Sequence, residues 1–258
     1  MFIKNKIQII FNFFGFKLEK IENKQFKNLD LYTKMLIPRN PVIFDVGANQ
    51  GQSILRYKRI YPKSFIHCFE PISFEFEKLK KKYKEDASIM LNNFALGSFD
   101  GTEELNINFL SGHSSFNQIN TNTKWIKKTS KEIGTTPENY TIKKETVNLR
   151  TIQTYCIENR ISKIDILKID TQGYEDKVLE GALELLKNQK IKLIQLEVLL
   201  TNVYNKALNI YDIEKHLIPN KYKLFANSVR GGSLHSELFQ QDHIYVSSDT
   251  LNLYNKKY

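Results

Sequence analysis

The stretch Pro41-Val42-Ile43-Phe44-Asp45-Val46-Gly47-Ala48-Asn49-Gln50-Gly51 decides the fold. A continuous apolar run enters a glycine-containing turn. Residues 51–61 follow with Ile54, Leu55 and Tyr61 on one helical face, and Pro62 stops the helix. A strand that is apolar throughout, rather than alternating, is buried on both faces, as in a parallel sheet covered by helices. Ligands of such sheets bind beyond the carboxyl ends of the strands. Asp45, Gly47, Asn49 and Gly51 are therefore candidate ligand contacts. Gly47 allows a close backbone approach, Gly51 allows tight packing at the helix start, and an acid at position 45 suits a cationic group such as the amine of a methionine moiety.

Outward from this turn the same alternation repeats. Strands are predicted at residues 65–69, 89–96, 164–170, 193–198, 222–226 and 243–246, the last two joined by a turn at Gly231-Gly232. Helices are predicted around Phe76, Leu79 and Tyr83, over residues 175–186, and over 212–217. The pattern predicts an α/β fold with a doubly wound, mostly parallel seven-stranded sheet of Rossmann-like type. Residues 1–37 read as a helical extension and 38–258 as the main domain. Residues 111–140 are long and polar, which suggests a lid or binding loop, and hold Trp125, the only tryptophan. Residues 105–109 before them alternate as an edge strand does.

Glu70 closes the second strand, nineteen residues after Gly51. A carboxylate there can accept both hydroxyls of a ribose. The three-glycine dinucleotide fingerprint is absent, so Asp45 and Glu70 together suit S-adenosylmethionine better than a nicotinamide dinucleotide. Asp170 ends the strand of residues 164–170 and is expected at the same crevice, followed by the Thr171-Gln172-Gly173 turn. Glu197 ends the next strand at the same rim. Asp170, Glu197 and His113 are the candidate bases for removing a proton from an acceptor hydroxyl; a divalent ion held by Asp170 and Glu197 is the alternative. Glu175 reads as a helix-start acid or a site residue.

These residues resemble the FkbM family of methyltransferases, over residues 38–248. The most specific piece is Lys168-Ile169-Asp170, Gln172-Gly173-Tyr174-Glu175 and Leu179-Glu180-Gly181-Ala182; Gly112-His113-Ser114-Ser115 is similar to a family Ser-Ser element. The resemblance implies a class I methyltransferase sheet with an antiparallel seventh strand. It also implies S-adenosylmethionine as cofactor, with Asn93 and Ala95 among its contacts, and O-methylation of a sugar hydroxyl in a glycan or glycosylated metabolite. Arg150 follows Leu149 where the family usually carries an acid, which bears on acceptor contacts. A relative acting on RNA, or a silent nucleoside-binding module, are the other readings. The first lacks an N-P-P-Y-type strand end, and the second is expected to lose Glu70 or Asp170.

The 258 residues suffice for one large domain, and 41% apolar with 26% charged residues is ordinary for a globular chain. The charge of +10 is carried mainly by lysine, with six arginines, so no nucleic-acid partner is expected. Cys68 and Cys156 have no metal-ligand or disulfide spacing, which predicts a reducing, cytoplasmic setting. Ile3, Ile7, Ile10, Phe11, Phe14 and Leu18 recur at helical spacing. They predict an amphipathic helix packed on the domain or on a second copy in a homodimer, or lying on a membrane surface.

Overall fold

The computed structural model describes residues 24–206, 208–230 and 240–256. The helix expected near the N-terminus and the Gly231-Gly232 turn lie outside the described residues. Helix α1 (Lys24–Leu36) precedes β1 (Val42–Val46), α2 (Gln52–Ile60), β2 (Phe65–Phe69), α3 (Ser73–Tyr83) and β3 (Ile89–Asn92). After a central insertion come β7 (Ile164–Ile169), α6 (Glu175–Glu180), α7 (Leu183–Lys187), β8 (Ile191–Leu199), α8 (Ile210–Leu217), β9 (Tyr222–Arg230), β10 (Gln240–Ser247) and α9 (Ser248–Asn255). The main sheet has seven strands in the order β3-β2-β1-β7-β8-β10-β9. All neighbours are parallel except β10, which runs antiparallel to both β8 and β9. The order reverses between β1 and β7, so the switch point falls where the opening turn was found.

Two hydrophobic clusters cover the two faces. Phe44, Val46, Leu167, Ile169, Ile194 and Leu196 pack into one, under Val178, Leu179 and Leu186 of α6 and α7. Ile43, Ile66, Ile166, Leu193, Ile244 and Val246 pack into the other, with Ile54 and Tyr57 of α2. Alternate residues of one strand thus go to opposite faces, and both faces are buried, which is why these strands read as continuous apolar runs. Leu29 of α1 is buried in the second cluster, and Tyr32 meets Phe225 of β9 edge-on at 5.6 Å. Cys68 and Cys156 are both buried free thiols.

Three expectations change. The strand expected over residues 89–96 is two strands. The Asn93 amide donates to the carbonyls of Glu70 (2.9 Å) and Pro71 (3.2 Å) and turns the chain, so β4 (Ala95–Leu96) leaves the main sheet. With β5 (Gly101–Asn108) and β6 (Thr141–Arg150) it forms a second sheet in the order β4-β6-β5. The helix expected over 175–186 is interrupted at Gly181, whose carbonyl accepts from the amide of Gln153 beside α5 (Ile152–Glu158). The polar segment 111–140 contains α4 (Lys124–Glu132) and its own small core of Ile119, Ile126 and Tyr140 against Val203 and Tyr204. No helix among the described residues is long and apolar enough to cross a membrane.

Candidate active site

A cleft of about 1620 Å³ opens along the carboxyl ends of β1, β2, β7 and β8. Ligand pockets commonly measure about 300–1000 Å³, so the cleft admits two ligands side by side. Its centre is the switch point. Here Gly47, at φ +78°, leaves β1 directly against the β7 terminus: a Cβ at Gly47 would lie 2.0 Å from the Asp170 carbonyl oxygen. The Asp170 amide in turn donates to the Val46 carbonyl at 3.0 Å. The glycine is needed here first for the neighbouring strand, and only then for a ligand.

Asp45 is a correction. It is 0% exposed and lies behind the cleft lining, where its charge partner is a side chain of the protein. Its cation is Lys168, its neighbour across the β1–β7 pairing, with Nζ 3.1 Å from Asp45 Oδ1. The same ammonium lies 3.5 Å from Asp170 Oδ2 and donates to the Gly47 carbonyl at 3.3 Å. Burial disfavours this ammonium, but the carboxylates of Asp45 and Asp170 outweigh it and hold its pKa above that of an ordinary lysine. Lys168 was not recognised as a site residue from the sequence.

Gly51 and Asn93 are corrections too, since neither lines the cleft. A Cβ on Gly51 would meet the Tyr83 ring at 2.8 Å, so this glycine serves helix packing. Asn93 turns the chain after β3. Gly47, Asn49, Glu70 and Ala95 do line the cleft. Glu70 is buried, and its carboxylate accepts from the amides of Asn49 (2.7 Å) and Ile72 (2.9 Å). Burial outweighs these bonds and pushes its pKa up to about 7. A carboxylate has about four lone-pair positions, so two bonds leave acceptor capacity for hydroxyls. Phe69, Ile72 and Leu96 add apolar wall beside it.

Asp170 and Glu197 are brought together by a residue the sequence reading mentioned only as part of a turn. Gln172, at φ +57°, donates its two amide hydrogens to Asp170 Oδ1 (3.0 Å) and Glu197 Oε2 (2.9 Å). The Tyr204 hydroxyl lies 3.1 Å from Gln172 Oε1 and 2.9 Å from the His113 carbonyl. Gln240 donates to the other Glu197 oxygen at 2.9 Å. Buried Glu175 accepts from the amides of Thr171 (2.9 Å) and Gly173 (3.0 Å), and so shapes the turn carrying Gln172. Its carboxyl is pushed up to about 7 by burial. His113 lines the cleft beside Trp125, with Nδ1 2.5 Å from the Tyr140 hydroxyl, and burial lowers its pKa, so it is neutral at pH 7. Among the described residues no group of three His, Cys, Asp or Glu side chains is arranged to hold a metal ion.

This architecture has a match among family models: the methyltransferase FkbM domain covers residues 45–224. The chain belongs to the FkbM methyltransferase family. It is an enzyme, an S-adenosylmethionine-dependent methyltransferase. The 2-O-methyltransferase NoeI of Sinorhizobium fredii (strain NBRC 101917 / NGR234) is 25% identical over 192 residues, 74% of this chain and 76% of that protein. Among solved structures, magnesium protoporphyrin IX methyltransferase (ChlM) of Synechocystis PCC 6803 with bound SAM aligns with a TM-score of 0.47 at 8% identity, over 87% of this chain and 79% of the other. Precorrin-6y C5,15-methyltransferase of Geobacter metallireducens GS-15 aligns with a TM-score of 0.42 at 9% identity, over 85% and 88%. The donor set of this FkbM methyltransferase suits the cofactor: a buried carboxylate with spare acceptor capacity, apolar walls beside it, and the Gly47 turn.

Burial raises the Asp45 pKa and Lys168 opposes that rise, so removing the ammonium leaves a carboxyl in the core without its ion-pair partner. Lys168→Met is expected to cost about 3–5 kcal/mol of stability, the usual cost of breaking a buried pair on one side, as measured by urea unfolding. A loss under about 1 kcal/mol would show that the pair does not tie β1 to β7.

Proposed function

We propose that this methyltransferase acts on a hydroxyl group of a sugar, in a glycan or a glycosylated small molecule. The observation that carries the reading is the Gln172 amide, which fixes two carboxylates at the rim of the cleft. The relative NoeI, a 2-O-methyltransferase by name, supports an oxygen as the acceptor atom. Glu70 would hold the cofactor ribose, with Gly47, Asn49 and Ala95 along the same wall. When bound, the cofactor supplies an electrophilic methyl group on a sulfonium.

A sugar hydroxyl is a weak acid and becomes strongly acidic only as its new carbon–oxygen bond forms. The accepting group therefore has to be ionised and aligned more than strongly basic. Asp170 meets both needs. The Lys168 ammonium lies 3.5 Å from its carboxylate, and the Gln172 amide fixes its direction. In this reading Asp170 accepts the hydroxyl proton, Glu197 orients the acceptor through a second hydrogen bond, and Gln172 positions both. Neutral His113 is the alternative acceptor.

Methyl transfer to a panel of methyl glycosides, followed with isotope-labelled S-adenosylmethionine, tests the reading. Asp170→Asn is expected to lower turnover about 10²-fold or more, with S-adenosylhomocysteine affinity nearly unchanged. Near-normal turnover would pass the role to Glu197 or His113. Glu70 gives a second test. Its carboxyl holds a proton below about pH 7 in the free protein. Hydroxyl donors from the ribose favour the charged form, so binding expels that proton. Affinity for S-adenosylhomocysteine should rise with pH up to about 7 and level off above it, as read by calorimetry, and Glu70→Gln should abolish the rise. A pH-independent affinity in the wild type would contradict the ribose role.

A further inference from the structure

Part of the cleft lining is aromatic. His113, Phe116 and Trp125 line it together with Leu199 and Val203. The His113 ring meets Trp125 edge-on at 5.0 Å and stacks on Tyr140 at 6.2 Å and 20°. This wall is built, not merely exposed. Thr123 caps α4 by accepting from the Ile126 amide, and Ile126 is buried against Ile119, Tyr140, Val203 and Tyr204. The His113 Nδ1 is held by the Tyr140 hydroxyl. Tyr204 then ties the wall to the turn after β7, since its hydroxyl reaches both the His113 carbonyl and Gln172 Oε1. Ser115 makes a second tie to that turn, its hydroxyl donating to the Gln172 carbonyl at 2.7 Å.

The same lining carries Asp170, Glu197 and Asp242 with the amides of Gln172, Gln195 and Gln240. The cleft therefore offers apolar and aromatic surface together with groups that accept and donate hydrogen bonds. A pyranose ring has matching surfaces: its C–H face is apolar and its rim carries hydroxyls that donate to carboxylates. A phosphodiester chain matches less well, because three carboxylates repel it. Of the cations lining the cleft, Lys34, Arg56, Arg59 and Lys168, the two arginines are ion-paired to Asp30 at 2.6 and 3.8 Å and Lys168 to Asp45 at 3.1 Å.

We infer that Trp125, with His113, forms the stacking platform for the acceptor sugar ring, and that this wall rather than the cofactor side sets acceptor affinity. The inference rests on the sugar-hydroxyl reading and adds where the ring sits.

Trp125 is the only tryptophan, so its fluorescence reports this wall alone. The intact protein, loaded with S-adenosylhomocysteine, is titrated with methyl glycosides of hexoses, 6-deoxyhexoses and N-acetylhexosamines, and separately with adenosine and uridine. Emission is expected to shift to the blue and saturate with at least one glycoside, the same one that is methylated. Trp125→Ala should raise the KM for that glycoside about tenfold, and Trp125→Phe should restore most of the loss, with kcat and S-adenosylhomocysteine affinity little changed. Methylation of a glycoside without any emission change, and with an unchanged KM in Trp125→Ala, would overturn the platform and leave the sugar-hydroxyl reading intact. A response to the nucleosides and none to the glycosides would overturn both. Silence across all probes would overturn the platform.

Discussion

The Lys168 ammonium is the interaction on which the rest of the site depends. It sits at the junction of the parallel strands β1 and β7, where the strand order reverses and the cleft opens. Three acceptors surround it: Asp45, Asp170 and the Gly47 carbonyl. Burying a charge is costly unless it is paired, and here two carboxylates lie within 3.5 Å of the ammonium while it donates to one carbonyl. An apolar residue could fill the same space, yet it would leave the two strand ends without a shared ion and Asp170 without a fixed charge beside it. From Asp170 the connections continue through Gln172 to Glu197 and Gln240. The Gly47 turn and the Gln172 turn are therefore linked through one chain of polar contacts.

Much of the fold was legible because it depends on periodicity. Continuous apolar runs that end at Gly47, Glu70, Asp170 and Glu197 state both the parallel sheet and the rim of the cleft. The split of the third strand was not legible, because Phe94-Ala95-Leu96 continue the apolar run of β3. What ends that strand is a side-chain amide reaching back to Glu70 and Pro71, and asparagine carries no sign of its partner. The break after Glu180 has the same cause, a carbonyl claimed by a distant amide. The segment at 111–140 looked loose because its apolar residues are few, and half of its core comes from Val203 and Tyr204, some seventy residues on.

The site was legible in part for a related reason. Asp45 and Lys168 each interrupt an apolar strand, and such interruptions need a partner of opposite charge. Read as a pair they point to a buried bridge; read singly, Asp45 looked like a ligand contact. The FkbM resemblance named the Asp170 turn but gave no role to Gln172, whose work is visible only once Asp170 and Glu197 lie on either side of its amide. In the proposed reading, cofactor and acceptor requirements separate by position: a buried carboxyl and apolar wall around Glu70, and the carboxylates joined by Gln172 around Asp170.

The central claim is that the carboxylates joined by Gln172 handle the hydroxyl proton. The pH–rate profile of methyl transfer at saturating cofactor and acceptor, in wild type and Gln172→Leu, tests it most directly. Loss of the amide donors removes bonds to the charged carboxylates and brings like charges face to face, which raises their pKa values. The account predicts that the rise of kcat with pH begins at higher pH in Gln172→Leu and reaches a lower plateau. The same onset and the same plateau in both proteins would contradict it.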